Sequence, residues 1–549
     1  MRGLLFLMTV LMAPAFAEAA AAQPPAARMI AIVPQPVKLT PRSGEFTLTA
    51  RTVIWTDRAS ESVARQLAAY LEPATGFNLR VQVGGSLPSR AIAIHRERTL
   101  GRLGAEGYLL DVRPASIVIR APELAGEFYA LQTIRQLLPP EIFREAPMDG
   151  VRWTMPAVSI EDRPRFAWRG AHLDTCRHFM PKEFVKKYID LLALHKLNTF
   201  HWHLTEDQGW RLQIVRYPKL TDVGAWRKET IVGRQGRDRT QWQFDGTRHG
   251  GFYTQEDARE IVAYAKARYV NVVPEIEMPG HAVAAIAAYP ELGVTGQPIE
   301  VATTWGVFSD ILNADPSTVT FMQNVLTEVL QIFPSRYIHI GGDEADKAKW
   351  KTSPAIQARI KELGVVDEHG LQSWFIRQMD TFLASQGRRL IGWDEILEGG
   401  LADNAVVMSW RGMQGGIEAA RAGHDVVMAP TSHTYLDYAQ SKDQSREPIG
   451  PGFLPLETVY AFEPVPAELE PQFAHHILGA QAQLWTEYMP TAKHVEYMAF
   501  PRLTALAEVV WTPPERKNYS EYLDRLAYHL ARLQALDVNF RPLDPAGPR

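Results

Sequence analysis

The strongest constraint on the fold is a regular alternation of strand-like and helix-like segments from residue 170 towards the C-terminus. Short β-branched or apolar runs are separated by amphipathic patterns, and this order predicts a parallel sheet. Eight strand–helix units predict closure into an α/β fold of the (β/α)8 TIM-barrel type. The predicted strands are residues 170–174, 199–204, 270–277, 337–341, 389–393, 405–410, 425–429 and 477–485. The predicted helices are residues 184–194, 255–267, 318–332, 370–385 and 415–422.

A smaller α+β domain is predicted to precede the barrel. Strand-like runs at residues 91–94 and 116–119 are followed by a helical pattern at residues 125–138, which Pro139 and Pro140 end. This part is not rich in catalytic residue types. We therefore predict a non-catalytic α+β domain over residues 28–155 and a catalytic barrel domain over residues 156–540.

The first 22 residues are typical of a signal peptide. Arg2 precedes an apolar run at residues 4–12, and small residues with A-x-A spacing follow at residues 15–17 and 19–21. The run is too short to span a bilayer comfortably. The sequence thus predicts a cleavable signal at residues 1–22, a periplasmic or secreted protein, and no membrane span.

Composition excludes several classes of function. The 549 residues carry 58 Lys and Arg against 62 Asp and Glu, so no bulk positive field favours a nucleic-acid partner. Cys176 is the single cysteine, which excludes a disulfide framework within the chain and a cysteine-based metal cluster.

The predicted strands end in carboxylates, histidines and tryptophans, where barrel enzymes build their active sites. Asp343 and Glu344 follow two glycines just beyond the fourth strand. Adjacent side chains on a strand point to opposite faces, so both can enter one cleft only if Gly341 and Gly342 let the backbone leave strand geometry. A buried carboxyl in such a pair keeps its proton and can act as a general acid. The alternative is a solvated pair or a helix cap.

Tryptophans lie at the C-terminal ends of three further predicted strands. Trp393, Trp410 and Trp485 offer flat aromatic faces that suit the C–H faces of sugar rings, while nearby carboxylates and arginine bind hydroxyl groups. Core packing is the alternative for any one of them. Together they favour a pyranose-binding pocket.

Several segments resemble glycoside hydrolase family 20, the β-N-acetylhexosaminidases, in a bacterial exported form. The resemblance extends over nearly all of the chain after the signal and includes the small domain. The segments are residues 106–108 (EGY), 126–132 (GEFYALQ), 163–170 (RPRFAWRG), 201–204 (HWHL), 208–211 (QGWR), 274–281 (PEIEMPGH) and 339–344 (HIGGDE).

The resemblance implies substrate-assisted hydrolysis of terminal non-reducing β-linked N-acetylglucosamine or N-acetylgalactosamine by an exo-acting, retaining enzyme without a cofactor. In this chemistry the 2-acetamido oxygen of the sugar is the nucleophile and forms an oxazolinium intermediate. Glu344 would protonate the leaving oxygen and then deprotonate the attacking water. Asp343 would orient the acetamido N–H and stabilise its developing positive charge.

The same comparison assigns the substrate-binding residues. Arg177, Asp437 and Glu487 would bind sugar hydroxyl groups, and Tyr435 would hydrogen-bond the acetamido oxygen. Trp393, Trp410 and Trp485 would form the pocket walls. A structural salt bridge is the alternative role for Arg177.

His281 would couple Glu344 to an acidic residue after the second strand. The family pattern has aspartate there, whereas this chain has Glu206, with Asp207 next to it. The extra methylene of Glu206 leaves the geometry of its contact with His281 to be determined, and Asp207 is an alternative partner. His281 could instead cap the following helix.

Two other functions are considered. His201 and His203 share one face of a strand, as in metal-dependent hydrolases, but strands five and six end in tryptophan rather than histidine, so we predict no metal. A non-catalytic carbohydrate-binding protein would keep the aromatic pocket but would not need Asp343 and Glu344. Chitin fragments, peptidoglycan pieces and glycan antennae are all candidate sources of the N-acetylhexosamine-containing substrate.

Overall fold

A computed structural model describes residues 30–443 and 447–544. The predicted signal peptide at residues 1–22 lies outside these residues. Within the described segments, no helix combines the length and apolar character needed to cross a membrane.

The N-terminal domain is built on a mixed seven-stranded sheet, which confirms the predicted α+β class. Two helices, Glu61–Thr75 and Leu124–Leu137, pack against it through buried apolar side chains. The strands are Lys38–Thr47, Val53–Thr56, Val81–Val83, Ala91–Arg96, Tyr108–Arg113, Ser116–Ala121 and Thr154–Asp162.

The last strand of this sheet extends the domain further along the chain than the sequence indicates. Thr154–Asp162 pairs antiparallel with both Lys38–Thr47 and Tyr108–Arg113. The boundary predicted at residue 155 therefore falls inside a strand, and the sheet continues to Asp162. The sequence around Pro156 is not typical of a central strand, because proline cannot donate a ladder hydrogen bond.

The C-terminal domain is a closed barrel of eight parallel strands, as predicted. All eight predicted strands are present, and most are shorter than the sequence indicates because their last residues turn out into the loops. The barrel strands are Trp168–Asp174, Thr199–His203, Asn271–Glu275, Tyr337–His339, Arg389–Trp393, Val406–Ser409, Val426–Met428 and Ile477–Ala482.

Helices cover the outside of the barrel, and their sequences show why. In Gln255–Lys266 the buried residues Ala258, Ile261, Val262 and Ala265 recur at helical spacing, and a capping box formed by the residues before and within its first turn starts the helix. The longer helices of the barrel domain are Lys182–Leu194, Gln255–Lys266, Pro316–Ile332, Pro354–Leu363, Glu368–Ser385, Gln414–Arg421, Ala492–Ala499, Arg502–Trp511 and Tyr519–Ala535.

Buried ion pairs join the two domains at the floor of the barrel. Lys196 Nζ lies 2.7 Å from Asp162 Oδ2, and both side chains are fully buried. Arg169 donates to Glu106 Oε1 from Nη2 over 2.7 Å, so its role is structural. These contacts fix the orientation of the small domain at the end of the barrel remote from the strand C-termini.

Candidate active site

The backbone departs sharply from strand geometry where the fourth barrel strand ends. After His339, Gly341, Gly342 and Glu344 adopt φ angles of 68°, 92° and 45°. A Cβ atom on Gly341 would lie 1.6 Å from Glu277 Oε2, so only glycine fits there. The sequence prediction that these glycines bring both carboxylates into one cleft is consistent with this turn.

One histidine contacts both adjacent carboxylates. His281 Nε2 lies 3.5 Å from Asp343 Oδ2 and 3.5 Å from Glu344 Oε2. Its other ring nitrogen, Nδ1, lies 2.8 Å from Glu206 Oε1 and 3.2 Å from Asp207 Oδ2. Since carboxylates lie on both sides of the ring, the pKa of His281 is raised well above its usual value despite burial. His281 is therefore held as a cation between the two acidic pairs.

Glu206 contacts His281, the partner for which the sequence left the geometry open. Its Oε1 takes the contact with His281, while Oε2 lies 2.9 Å from Arg177 Nη2 and 3.2 Å from His203 Nε2. Asp207 keeps a second, longer contact with His281 and also accepts from Val283 N. Glu206 thus links His281 to Arg177, the residue predicted to bind sugar hydroxyl groups.

Arg177 is nearly buried and lies against the wall of the pocket. Its guanidinium carbon lies 5.0 Å from the ring centroid of Trp485, and its Nη1 lies 3.5 Å from Asp174 Oδ2. Burial opposes the charge, but Glu206, Glu487 and Asp174 raise the pKa of Arg177 well above its usual range. Arg177 therefore forms an ion pair within the protein and also places its positive charge beside the Trp485 ring.

The aromatic residues form two groups. Trp410 and Tyr435 are nearly parallel, with ring centroids 6.2 Å apart, and Trp410 Nε1 donates to Glu395 Oε2 over 2.9 Å. Trp393 and Trp485 are 5.8 Å apart. Trp393 is only 1% exposed and donates from Nε1 to Glu275, so it contributes to the floor beneath Trp485 rather than to an exposed wall.

Asp437 and Glu487, both predicted to bind hydroxyl groups, influence each other electrostatically. Burial raises the pKa of Asp437 well above its usual value, and the nearby charge of Glu487 adds to this effect. Burial also raises the pKa of Glu487, while Arg177 opposes the rise. Among the described residues Asp437 Oδ1 is buried without a hydrogen-bond partner, as is Asp343 Oδ1, which suits atoms that bind a ligand.

The two central carboxylates differ in environment. Asp343 is buried, and burial raises its pKa to about 7 although His281 acts in the opposite direction. Contact with His281 lowers the pKa of Glu344, whose side chain is 39% exposed. In the protein alone the proton favours Asp343, whereas the family resemblance implies that Glu344 donates it. This order of proton affinity arises because Asp343 lies deeper in the cleft than Glu344, and the sequence does not give that depth.

Three further acidic residues, two of them within the quoted segment 274–281, belong to the same network. Glu275 accepts hydrogen bonds beneath the site, and burial raises the pKa of Glu277 well above its usual value. Burial also raises the pKa of Glu395 to about 8, with Asp343 adding to the rise. The i, i+2 spacing of Glu275 and Glu277 could have indicated a shared inward face.

His201 and His203, considered above as metal ligands, engage Glu275 instead. His201 Nε2 lies 3.1 Å from Glu275 Oε2, and His203 Nδ1 contacts the same oxygen. His339 Nδ1 and Trp393 Nε1 each lie 2.8 Å from Glu275 Oε1. These groups have the residue types of a metal site. Because Glu275 is already hydrogen-bonded to His203 Nδ1 and Trp393 Nε1, contacts within the protein account for the cluster.

Two family models match the chain. Residues 29–163 match "Glycosyl hydrolase family 20, domain 2", and residues 166–514 match "Glycosyl hydrolase family 20, catalytic domain". The chain belongs to glycosyl hydrolase family 20. This confirms the resemblance drawn from the sequence motifs, and the gap between the two matched segments follows the end of the strand Thr154–Asp162.

Relatives and solved structures agree with this membership. The chain is 44% identical over 531 residues to a beta-hexosaminidase of Porphyromonas gingivalis, covering 94% of this chain and 65% of that protein. It is 38% identical to a beta-hexosaminidase of Vibrio furnissii, covering 88% of this chain and 76% of that one.

Among solved structures, the GH20 beta-N-acetylhexosaminidase of Streptomyces coelicolor has a TM-score of 0.81 at 34% identity, covering 95% of this chain and 99% of that one. The exo beta-N-acetylglucosaminidase of Vibrio harveyi, solved with N-acetylglucosamine, has a TM-score of 0.80 at 34% identity, with 95% and 80% covered. The similarity thus includes both domains described here.

Proposed function

We propose that this family 20 protein is an exo-acting, retaining β-N-acetylhexosaminidase that removes terminal β-linked N-acetylglucosamine or N-acetylgalactosamine from oligosaccharides. The observation that carries the proposal is the single cationic histidine 3.5 Å from both Asp343 and Glu344. Such an arrangement serves two adjacent carboxylates with different tasks. Relatives named beta-hexosaminidase, and a neighbour solved with N-acetylglucosamine, support the same substrate class.

In the proposed reaction the acetamido oxygen of the bound sugar attacks the anomeric carbon, and the glycosidic C–O bond breaks. Glu344 gives its proton to the leaving oxygen, and an oxazolinium ion forms. Water then attacks the anomeric carbon, passes a proton to Glu344 and restores the acetamido group. Two displacements retain the configuration.

Asp343 supports both displacements by accepting the acetamido N–H. Binding of that N–H favours the ionised carboxylate, which has a raised pKa in the protein alone. The negative charge created at Asp343 in turn raises the pKa of its neighbour Glu344. Substrate binding thereby shifts the proton preference towards Glu344, the residue that must donate it.

The pocket residues hold the sugar in position for this attack. Tyr435 donates to the acetamido oxygen, and Arg177, Asp437 and Glu487 bind ring hydroxyl groups. Orientation of this kind accounts for a large share of the rate of intramolecular reactions. We also propose that residues 1–22 direct the protein to the periplasm or outside the cell, and that catalysis needs no cofactor.

The test is hydrolysis of the p-nitrophenyl β-glycosides of N-acetylglucosamine, N-acetylgalactosamine and glucose, with and without a metal chelator. We expect turnover of the acetamido sugars only, no effect of the chelator, loss of activity in Asp343→Asn and strong inhibition by a thiazoline analogue of the oxazoline. Comparable turnover of the glucoside would refute substrate assistance. Binding of N-acetylglucosamine without any turnover would instead support a carbohydrate-binding protein.

A further inference from the structure

A row of alternating charges runs from the barrel interior to the two catalytic carboxylates. Glu275, at the end of the third barrel strand, contacts His203 Nδ1, at the end of the second. His203 Nε2 lies 3.2 Å from Glu206 Oε2, and Glu206 Oε1 lies 2.8 Å from His281 Nδ1. These four side chains are at most 3% exposed. They form one continuous path that ends at Asp343 and Glu344.

His203 is the cation in the interior of this path. Both of its ring nitrogens meet carboxylates, and a histidine that donates from both nitrogens is an imidazolium. Burial alone lowers the pKa of His203, but Glu275 and Glu206 outweigh it and raise the pKa to about 10. His203 therefore stays charged throughout the pH range in which such an enzyme works.

The other groups around His203 leave this charge assignment intact. From the third strand, the Glu277 carboxyl lies 4.0 Å away and its own pKa is raised, so it is uncharged. From the first strand, burial lowers the pKa of His172, so it is neutral, and Asp174 favours the charged form of His203. The Trp485 ring after the eighth strand lies 5.0 Å from the imidazole.

Glu206 binds positively charged side chains through both of its carboxylate oxygens. Arg177 Nη2 and His203 Nε2 both bind Oε2, at 2.9 and 3.2 Å, and this leaves Oε1 to hold His281. Glutamate, in place of the aspartate of the family pattern, has the length to serve both sides. Without His203, Glu206 would keep only Arg177 as a partner on Oε2 and could turn away from His281.

We propose that His203 and Glu275 are positioning residues of the reaction. Glu275 fixes His203, His203 fixes and neutralises Glu206, and Glu206 holds His281 where it contacts both Asp343 and Glu344. The inference rests on the proposed function and adds to it a group of residues that touches neither the sugar nor the reacting atoms.

The main test is His203→Gln, with His195→Gln as the matched control. His195 is also fully buried and bonded at both nitrogens, to Leu191 O at 2.6 Å and to His529 Nε2 at 2.9 Å, but it lies outside the barrel interior. We measure kcat and KM for p-nitrophenyl β-N-acetylglucosaminide from pH 4 to 9.

For His203→Gln we expect kcat to fall about 10- to 100-fold with KM changed less than about threefold, as for the loss of one charge-assisted hydrogen bond. The alkaline limb of kcat/KM should move up by about one pH unit, because the Asp343 carboxyl, which holds the proton in the protein alone, loses a nearby positive charge. His195→Gln should leave both the rate and the limb in place. A fall in rate without a shift of the limb would indicate only a packing role and overturn the proposal.

A second variant and a spectroscopic measurement cover the case in which His203→Gln does not fold. Glu275→Gln keeps the histidine but removes its anchor, so kcat should fall at nearly constant KM; an unchanged kcat overturns the proposal. ¹⁵N-histidine NMR of the wild-type protein at pH 8 should show a buried imidazolium that responds to Glu275→Gln, and a neutral His203 would also overturn it. A wild-type protein without hexosaminidase activity would count against the proposed function instead, since the charge of His203 is measured independently.

Discussion

Gly341→Ala tests the close contact on which the geometry of the turn at residues 341–344 depends. An ideal Cβ atom at this position lies 1.6 Å from Glu277 Oε2 and 2.2 Å from its carboxyl carbon. The backbone φ of 68° is also left-handed, which costs an L-residue about 1–2 kcal/mol. Overpacking adds about 1–3 kcal/mol. The free energy of unfolding should therefore fall by about 2–5 kcal/mol.

Gly364→Ala is the matched control, since its φ of 66° is nearly the same and a Cβ atom there meets nothing within 4 Å. Its free energy of unfolding should fall only by the backbone contribution, about 1–2 kcal/mol. Urea unfolding followed by tryptophan fluorescence gives both values, and their difference isolates the contact with Glu277. Adding Glu277→Ala to Gly341→Ala should recover part of this difference by opening space.

Gly341→Ala should also lower the catalytic rate of molecules that remain folded. Relief of the contact requires the Glu277 carboxyl or the turn to move, and a displacement of about 1 Å at catalytic groups costs on the order of 100-fold in rate. We therefore expect kcat/KM for p-nitrophenyl β-N-acetylglucosaminide to fall by that order in Gly341→Ala and to stay at the wild-type value in Gly364→Ala. Equal stability losses in the two variants with a normal kcat would refute this account of the turn.

Three further predictions concern charge. Because burial raises the pKa of Asp343 to about 7, the one proton that substrate binding shifts from Asp343 to Glu344 is lost above that pH, so kcat/KM should fall as the pH rises from about 7; a flat profile from pH 6 to 9 would contradict this. Glu344→Gln should abolish hydrolysis of oligosaccharides but spare activated aryl glycosides, whose leaving groups need no proton, and equal losses on both would indicate another role. Lys196→Met should lower the free energy of unfolding by about 3–5 kcal/mol because it leaves Asp162 buried without its cation, and a loss below about 1 kcal/mol in urea unfolding would contradict this.

The eight strands and the class of both domains follow from the sequence because each depends on local patterns. Alternation of strand and helix periods dictates a parallel barrel whatever the loops contain. The positions of Asp343, Glu344 and His281 at strand ends, and the family to which they belong, follow from contiguous motifs. The boundary near residue 155 was less accurate, because Thr154–Asp162 becomes a strand only by pairing with strands more than 40 residues away along the chain.

Tertiary structure alone decided how the site residues share charge. Residues Glu206 and Glu275 are 69 positions apart in the chain, yet both bind His203, and their combined field holds its proton. Whether Glu206 or Asp207 would hold His281 depended on side-chain reach across two strand ends. The order of proton affinity between Asp343 and Glu344 depended on their depth. The sequence by itself therefore determined which residues form the site. Their protonation states depend on burial and on the distances between charges, which are properties of the folded chain.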